Sequence, residues 1–283
     1  MKIESLIAPI ERAGWLDALG RILGRAVASV VPPGPAKDLL AGTWLGHPVH
    51  PMLTDVPIAA WTSALVLDLW GGERARQAAD ALVGVGVLAA LPTAATGLSD
   101  LADTEERPER GLGAAHALGN VTAVCLYGAS WLARRGGRRG AGVRLGLLGA
   151  AVVTASGYLG GHLAYRRGIG VDQTVFRERI EDWTPVLKEH ELPEAEPRRV
   201  RAGGVDLLLY RRQDRVFALA DRCNHRGGPL HEGQVDDGSV RCPWHQSTFR
   251  LEDGAILQGP ATAPQPCYQT RVRDGAIEVR EPR

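Results

Sequence analysis

Cysteine is scarce in this chain, with four in 283 residues. Cys125 lies inside an apolar run and Cys267 opens the strand-like "PQPCYQTRV". Both read as small buried apolar residues, and no disulfide framework is expected. Net charge is nearly absent: 33 basic residues offset 32 acidic ones, so nothing electrostatic points to nucleic acid or another polyanion as partner. The first residues, "MKIESLIAPIERAGWLDAL", carry charge too early for a cleavable signal peptide. Histidine stops at His245. A chain of this length is predicted to hold about two domains.

Apolar residues come in long runs through the first half. Residues 1–41 form an N-terminal amphipathic segment in which Arg12, Arg21 and Arg25 interrupt apolar residues at helical spacing, until "PPGPAKD" breaks it. It reads as an interfacial helix or as one packed on its own membrane domain. Four apolar stretches follow, at 54–71, 78–99, 112–133 and 145–165. The last two hold no charged residue over about 21 positions, about 32 Å of helix, enough to cross a bilayer. The first two carry Asp68 and Asp80 near their ends and Pro57 and Pro92 inside, with Thr54 and Asp55 expected to cap the first. Frequent Gly and Ala suit close helix approach in lipid. Residues 42–165 are therefore predicted to form an all-α transmembrane four-helix bundle. A linker at 166–183 leads to short β-type runs, a small all-β domain over 184–283.

Polar residues gather at one end of the expected bundle. His47, His50 and Asp55 start the first helix, Asp100 and Asp103 end the second, His116 and Asn120 start the third, and Tyr158 and His162 end the fourth. Four spans put all of these, and the β domain, on one side of a cell membrane that the chain crosses several times. The histidines have three readings: helix caps and contacts, ligands of a haem b through an opposed pair such as His116 and His162, or part of a quinone or metal site with His50. Arg74, Arg76, Arg134, Arg135, Arg138, Arg139 and Arg144 place the far loops in the cytoplasm, while Arg166, Arg167, Arg177 and Arg179 on the near flank oppose that orientation.

The β half carries the sharpest signal. Cys223-x-His225 and Cys242-x-x-His245 are two Cys/His pairs separated by sixteen residues. Mixed thiolate and imidazole ligands suit zinc or iron–sulfur. Common zinc sites pair Cys with Cys and His with His. One of each from two loops suits a [2Fe–2S] cluster with two cysteines on one iron and two histidines on the other.

At "CNHRGGPL", "CPWHQSTF", "LEDGAILQGPA" and "RVRDGAIEV" the chain resembles the Rieske [2Fe–2S] domain family, over residues 184–283. The resemblance implies that Cys223 and Cys242 bind a buried iron, that His225 and His245 bind an outer one, and that electrons pass through the histidine edges. The respiratory-complex type has disulfide-linked cysteines where Gly228 and Trp244 stand, and a tyrosine where Phe249 stands. Fewer donors to the sulfurs imply a lower potential. Ser247 is placed to donate to a bridging sulfide, and Gln246 replaces a usual glycine. With no histidine after His245, and with His190 and His231 read as surface residues, the mononuclear iron site of a catalytic oxygenase is not expected. "WLGHPVHPMLTDVPIAAWTSALVLDL", "TGLSDLADT" and "AAHALGN" resemble domain-of-unknown-function family 2231, which implies no activity.

The chain thus reads as a membrane-anchored electron carrier or oxidoreductase subunit rather than a stand-alone enzyme. It would pass single electrons between a membrane redox partner and another redox protein. Two alternatives stand beside it: a quinol- or haem-linked membrane oxidoreductase acting at the histidine-rich interface, and a non-redox membrane binding protein with a zinc site.

Overall fold

Small residues set how the helices pack, and two aspartates with two arginines tie them together at one end. The computed structural model describes residues 5, 7–104 and 106–282. The first few positions of the expected 1–41 segment lie outside the described residues. The chain forms two units, one of Met1–Pro32 with Pro48–Arg167, the other of Pro33–His47 with Gly168–Arg283.

The first unit is helical: α1 (Ala8–Arg12) and α2 (Gly14–Val30), then, after a segment belonging to the other unit that contains α3 (Pro35–Ala41), α4 (Val49–Trp70), α5 (Arg76–Ala102), α6 (Glu109–Arg135) and α7 (Arg139–Arg167). α4 pairs with α5 and α6 with α7, while α2 packs on α5 and α6. The packed reading of the amphipathic segment thus holds for α2. Buried Asp17 anchors it, taking Arg110 at 2.6 Å and Arg107 at 2.8 Å.

Glycines seat the large rings. A Cβ at Gly86 would stand 2.3 Å from the Trp61 indole, and one at Gly149 would stand 2.9 Å from Tyr127. Trp61 and Tyr127 stack at 4.1 Å between α4 and α6. At one end, Asp68 of α4 and Asp80 of α5 meet Arg134 of α6 and Arg139 of α7. Arg134 reaches Asp80 at 2.8 Å, and Arg139 reaches Asp68 at 2.6 Å. These aspartates are not defects in the spans but half of a neutral quartet that joins all four helices.

Three sequence expectations change here. α4 starts at Val49, upstream of the expected Thr54/Asp55 cap, and the Thr54 hydroxyl donates to Pro51 O inside the helix. Among the described residues, three helical segments are long and apolar enough to cross a membrane: Val49–Trp70, Glu73–Ala102 and Arg139–Arg167. α6 has the length but not the hydropathy, because glycines, His116 and Asn120 dilute its apolar residues; lacking charge is not the same as being apolar. Cys125, expected to be buried on α6, is exposed. So are Leu69, Leu88, Leu91, Leu132 and Leu148, an outward apolar surface of the kind that lipid covers.

The second unit holds two antiparallel sheets. The larger has the order β1 (Thr184–Lys188), β10 (Ala276–Arg280), β9 (Cys267–Arg273), β4 (Arg215–Ala220), β3 (Val205–Arg212), β2 (Arg198–Ala202). The smaller runs β5 (Gln234–Asp236), β6 (Ser239–Arg241), β7 (Thr248–Arg250), β8 (Ile256–Gln258). Asp237-Gly238 and Asp274-Gly275 close two-residue hairpins, all four residues having positive φ, the pairing that twisted strands favour. The run "VDLLLY" makes β3 buried on both faces. Leu207 and Leu209 enter one core, and Leu208 and Tyr210 enter the other.

The expected linker at 166–183 belongs largely to this unit. Ile180 sits in its core, its carbonyl accepts from Glu281 N–H, and Gln173 N–H donates to Asn224 O.

Candidate metal centre

Two loops of similar build carry the four candidate ligands. After β4, Cys223 N–H donates to Gly228 O and Gly227 N–H returns to Cys223 O, both at 2.8 Å. Between β6 and β7, Cys242 N–H donates to Ser247 O at 2.8 Å and Gln246 N–H returns to Cys242 O at 3.1 Å. Each loop is thus a tight turn with a cysteine at its base and a histidine at its tip. Gln246 has φ of 65°, the left-handed region where glycine has no steric penalty; this is why glycine is usual at that position.

The thiols of Cys223 and Cys242 are hydrogen-bonded to each other and are buried. The rings of His225 and His245 meet edge to face, centroids 5.1 Å apart, and are half-buried. The thiol contact raises Cys223 well above its ordinary range and lowers Cys242 to about 7, with the Trp244 and His245 amides also favouring its thiolate. Burial holds His225 well below its ordinary value, with His245, Arg226 and Lys37 adding to the effect. A neutral imidazole and an accessible thiolate are the ligand states a metal requires.

The four donors therefore form a deep sulfur pair and an outer nitrogen pair. Among the described residues no three His, Cys, Asp or Glu side chains converge on one point as a single-ion site would require. A tetrahedral zinc needs all four around one centre, whereas a binuclear cluster takes one pair on each iron. The residues fit the cluster.

Neighbouring groups explain the departures seen in the sequence. A Cβ at Gly228 would lie 2.8 Å from Cys242 Sγ and 3.1 Å from the Trp244 ring. Trp244 covers the side where the respiratory type has its disulfide, and it is 44% exposed. Ser247 is buried and its Oγ accepts from Ala261 N–H at 3.0 Å, which leaves its own proton free to donate. Phe249 is fully buried in the core beneath the loops.

Some supports were not read from sequence. Buried Gln265 donates to Ala220 O at 2.7 Å and Arg222 O at 2.8 Å and accepts from Asn224 N–H at 3.1 Å, which fixes the first loop. His231, read as a surface residue, is half-buried with Nδ1 2.8 Å from Asp221 Oδ2. Asn224 at least lay inside the motif; Gln265 gave no local signal.

The helical unit's histidines are used differently. His50 Nδ1 lies 3.0 Å from Thr93 O and 3.2 Å from Thr96 Oγ1. His116 uses both ring nitrogens, Nδ1 at 2.8 Å from Ser156 O and Nε2 at 3.0 Å from Asn120. The two rings meet at 6.5 Å, joining the α4/α5 pair to the α6/α7 pair. His162 is 3.9 Å from Glu11 and, with Tyr158 and Tyr165, lines an open pocket of about 360 Å³. Of the opposed His116/His162 pair named in the haem reading, His116 meets the His50 ring instead, and both of its ring nitrogens lie within hydrogen-bond distance of protein groups.

The fold and the paired donors define the class: a two-loop iron–sulfur electron-transfer domain carried in one chain with an apolar helical unit. The chain belongs to the Rieske [2Fe–2S] domain family, which matches residues 182–269. A predicted membrane protein family, DUF2231, matches residues 46–173. The anthranilate 1,2-dioxygenase ferredoxin subunit of Burkholderia cepacia is 37% identical over 100 residues, 35% of this chain and 93% of the relative. Ferredoxin CarAc of Metapseudomonas resinovorans is 31% identical over 98 residues, 34% of this chain and 92% of that protein. Among solved structures, the ferredoxin of carbazole 1,9a-dioxygenase from Nocardioides aromaticivorans IC177 is 23% identical, with a TM-score of 0.34 over 36% of this chain and all of that one. The protein is a membrane-associated Rieske electron-transfer protein with a [2Fe–2S] cofactor.

Proposed function

We propose that the chain is a multi-pass cell-membrane protein that carries single electrons on a cluster held by Cys223 and Cys242 at the inner iron and His225 and His245 at the outer. The observation that carries this reading is the separation of the donors into a buried sulfur pair and a half-buried nitrogen pair. The cluster supplies one-electron oxidation and reduction. The chain's own residues do the rest. Gln265 and Asn224 hold the first loop, Trp244 over Gly228 keeps water from the thiol side, and the histidine edges face the surface where a partner docks. Named relatives are dioxygenase ferredoxins, so a protein partner of the oxygenase or reductase type, met at that edge, is the natural acceptor or donor.

All four long helices crossing together fits the charge quartet, which gathers one end of each. The N-terminus of α4 and the C-terminus of α7 then lie on the opposite side. The bonded state of His50 and His116 favours a structural use of these histidines over a haem or quinone site. Membranes carrying the full chain test the proposal. They should show a low-temperature paramagnetic resonance signal on reduction that survives alkaline washing and disappears in Cys223→Ser and His225→Ala. A signal that washes off, or that persists in both variants, would defeat it.

A further inference from the structure

The segment Pro33–His47, a strap from the N-terminal third, groups with the β unit although its sequence lies far from it. Its local sequence shapes it for that place. The helix α3 ends at Gly42, whose φ of 92° costs glycine little. Gly42 N–H and Thr43 N–H both donate to Asp38 O at 3.1 Å. This folds Thr43 back beside Asp38, and the two side chains form one clamp. Gly259 N–H donates to Asp38 Oδ1 at 2.9 Å, and Thr43 Oγ1 donates to Ala261 O at 3.0 Å. The fit is close: a Cβ at Gly259 would collide with Thr43 Oγ1 and stand 2.8 Å from Asp38 Oδ1.

The clamped backbone is bonded in turn to the second ligand loop. Ala261 gives its N–H to Ser247 Oγ at 3.0 Å, and Ser247 O accepts from Cys242 N–H at 2.8 Å. Ser247 is fully buried. A serine oxygen carries one proton and two lone pairs, so the Ala261 N–H occupies a lone pair and leaves the proton to point elsewhere. Among the described residues no protein acceptor takes that proton. A buried hydroxyl without an acceptor is costly, and this one belongs to the residue bonded across the loop to Cys242, at the sulfur end of the site.

We propose that Asp38 and Thr43 are positioning residues that tune the potential of the cluster through Ser247. This rests on the reading of Cys223, His225, Cys242 and His245 as cluster ligands. The clamp holds Gly259 and Ala261, the Ala261 N–H holds the Ser247 oxygen, and the Ser247 proton is thereby kept on a cluster sulfur. A hydrogen bond to sulfur favours the reduced, more negative state and raises the midpoint. When the clamp lets go, the hydroxyl turns more freely, its bond to sulfur weakens and the midpoint falls. A segment far from the cysteines and histidines thus sets part of the potential, which no spacing rule around the ligands would reveal.

Redox titrations followed by paramagnetic resonance, on the full chain in membranes, test this. Ser247→Ala should lower the midpoint. Thr43→Val, which changes no charge, should lower it by a smaller step and raise amide hydrogen exchange at Ala261, while Thr43→Ser should keep the wild-type value. Asp38→Ala should fall below Asp38→Asn, which loses the same charge but keeps an acceptor for Gly259 N–H. In the Ser247→Ala background, Thr43→Val should add no further shift, because both act through one hydroxyl. A wild-type midpoint in Ser247→Ala or Thr43→Val with an intact cluster signal, equal midpoints in the two Asp38 variants, or a full second shift in the double variant would overturn the inference. If Thr43→Val holds no cluster, Thr43→Ala, which leaves more room, is read by the same criteria. Loss of the cluster from both would show a strap needed for assembly rather than tuning, and would be equally contradictory. A wild-type chain with no cluster signal would overturn the ligand assignment itself, an outcome separable from a cluster whose potential ignores the clamp.

Discussion

At the scale of single residues, the site is set by what each side chain can donate and by how much room it leaves. Gly228, Trp244 and Phe249 remove a disulfide and a hydroxyl from the surroundings of the sulfurs. Ser247 keeps one donor. The midpoint should therefore fall in the lower part of the Rieske range, roughly −150 to +50 mV; a titration giving about +300 mV would show the sulfur environment to be misread. Gly228 has no space for a methyl group beside Cys242 Sγ. Gly228→Ala should cost about 1–3 kcal/mol, as overpacking does, and lower iron content, measured by thermal unfolding and metal analysis. The four proposed ligand positions stand out in the sequence because a thiol and an imidazole recur at short spacing in two loops. Gln265 was not legible, since its contacts reach the site from a segment with no periodic or motif signature. The left-handed Gln246 was visible only as a departure whose cause was a backbone angle.

At the scale of elements, hydrophobic runs located the four long helices but misjudged their character. Asp68 and Asp80 looked like weaknesses in two spans. They are the partners of Arg134 and Arg139, whose side chains the sequence assigned to loop charge. Two of the arginines behind the positive-inside argument are thus neutralised within the bundle, and Arg135 lies over the Trp131 ring at 5.4 Å. Arg134 is 1% exposed as a side chain and Asp68 4%, so removing one member leaves a buried charge uncompensated. Arg134→Ala should destabilise the helical unit by about 3–5 kcal/mol, read as a lowered unfolding temperature in detergent. Adding Asp68→Asn should recover part of that loss, because the pair is coupled. Additive losses would show that the quartet does not act as a unit. The β elements were more legible, since Asp-Gly hairpins and the triple leucine of β3 state their geometry locally.

At the scale of the whole molecule, the domain plan was readable as a change of texture near residue 184, but its boundaries were not. The strap Pro33–His47 joins the β unit, and the expected linker folds into it, because both rely on contacts with residues distant in sequence. The proposed topology puts Gly72 and Gly137 on one side of the membrane and Gly168 on the other. With exposed Cys125 first replaced, single cysteines at these three positions should label in that pattern from one side of sealed vesicles. Equal labelling at all three would refute it. The central claim is that one chain combines a membrane unit with a two-iron cluster on mixed ligands. Metal and acid-labile sulfide analysis of the purified full-length protein tests it most directly. The account predicts two irons and two sulfides per chain; one zinc per chain without labile sulfide would contradict it.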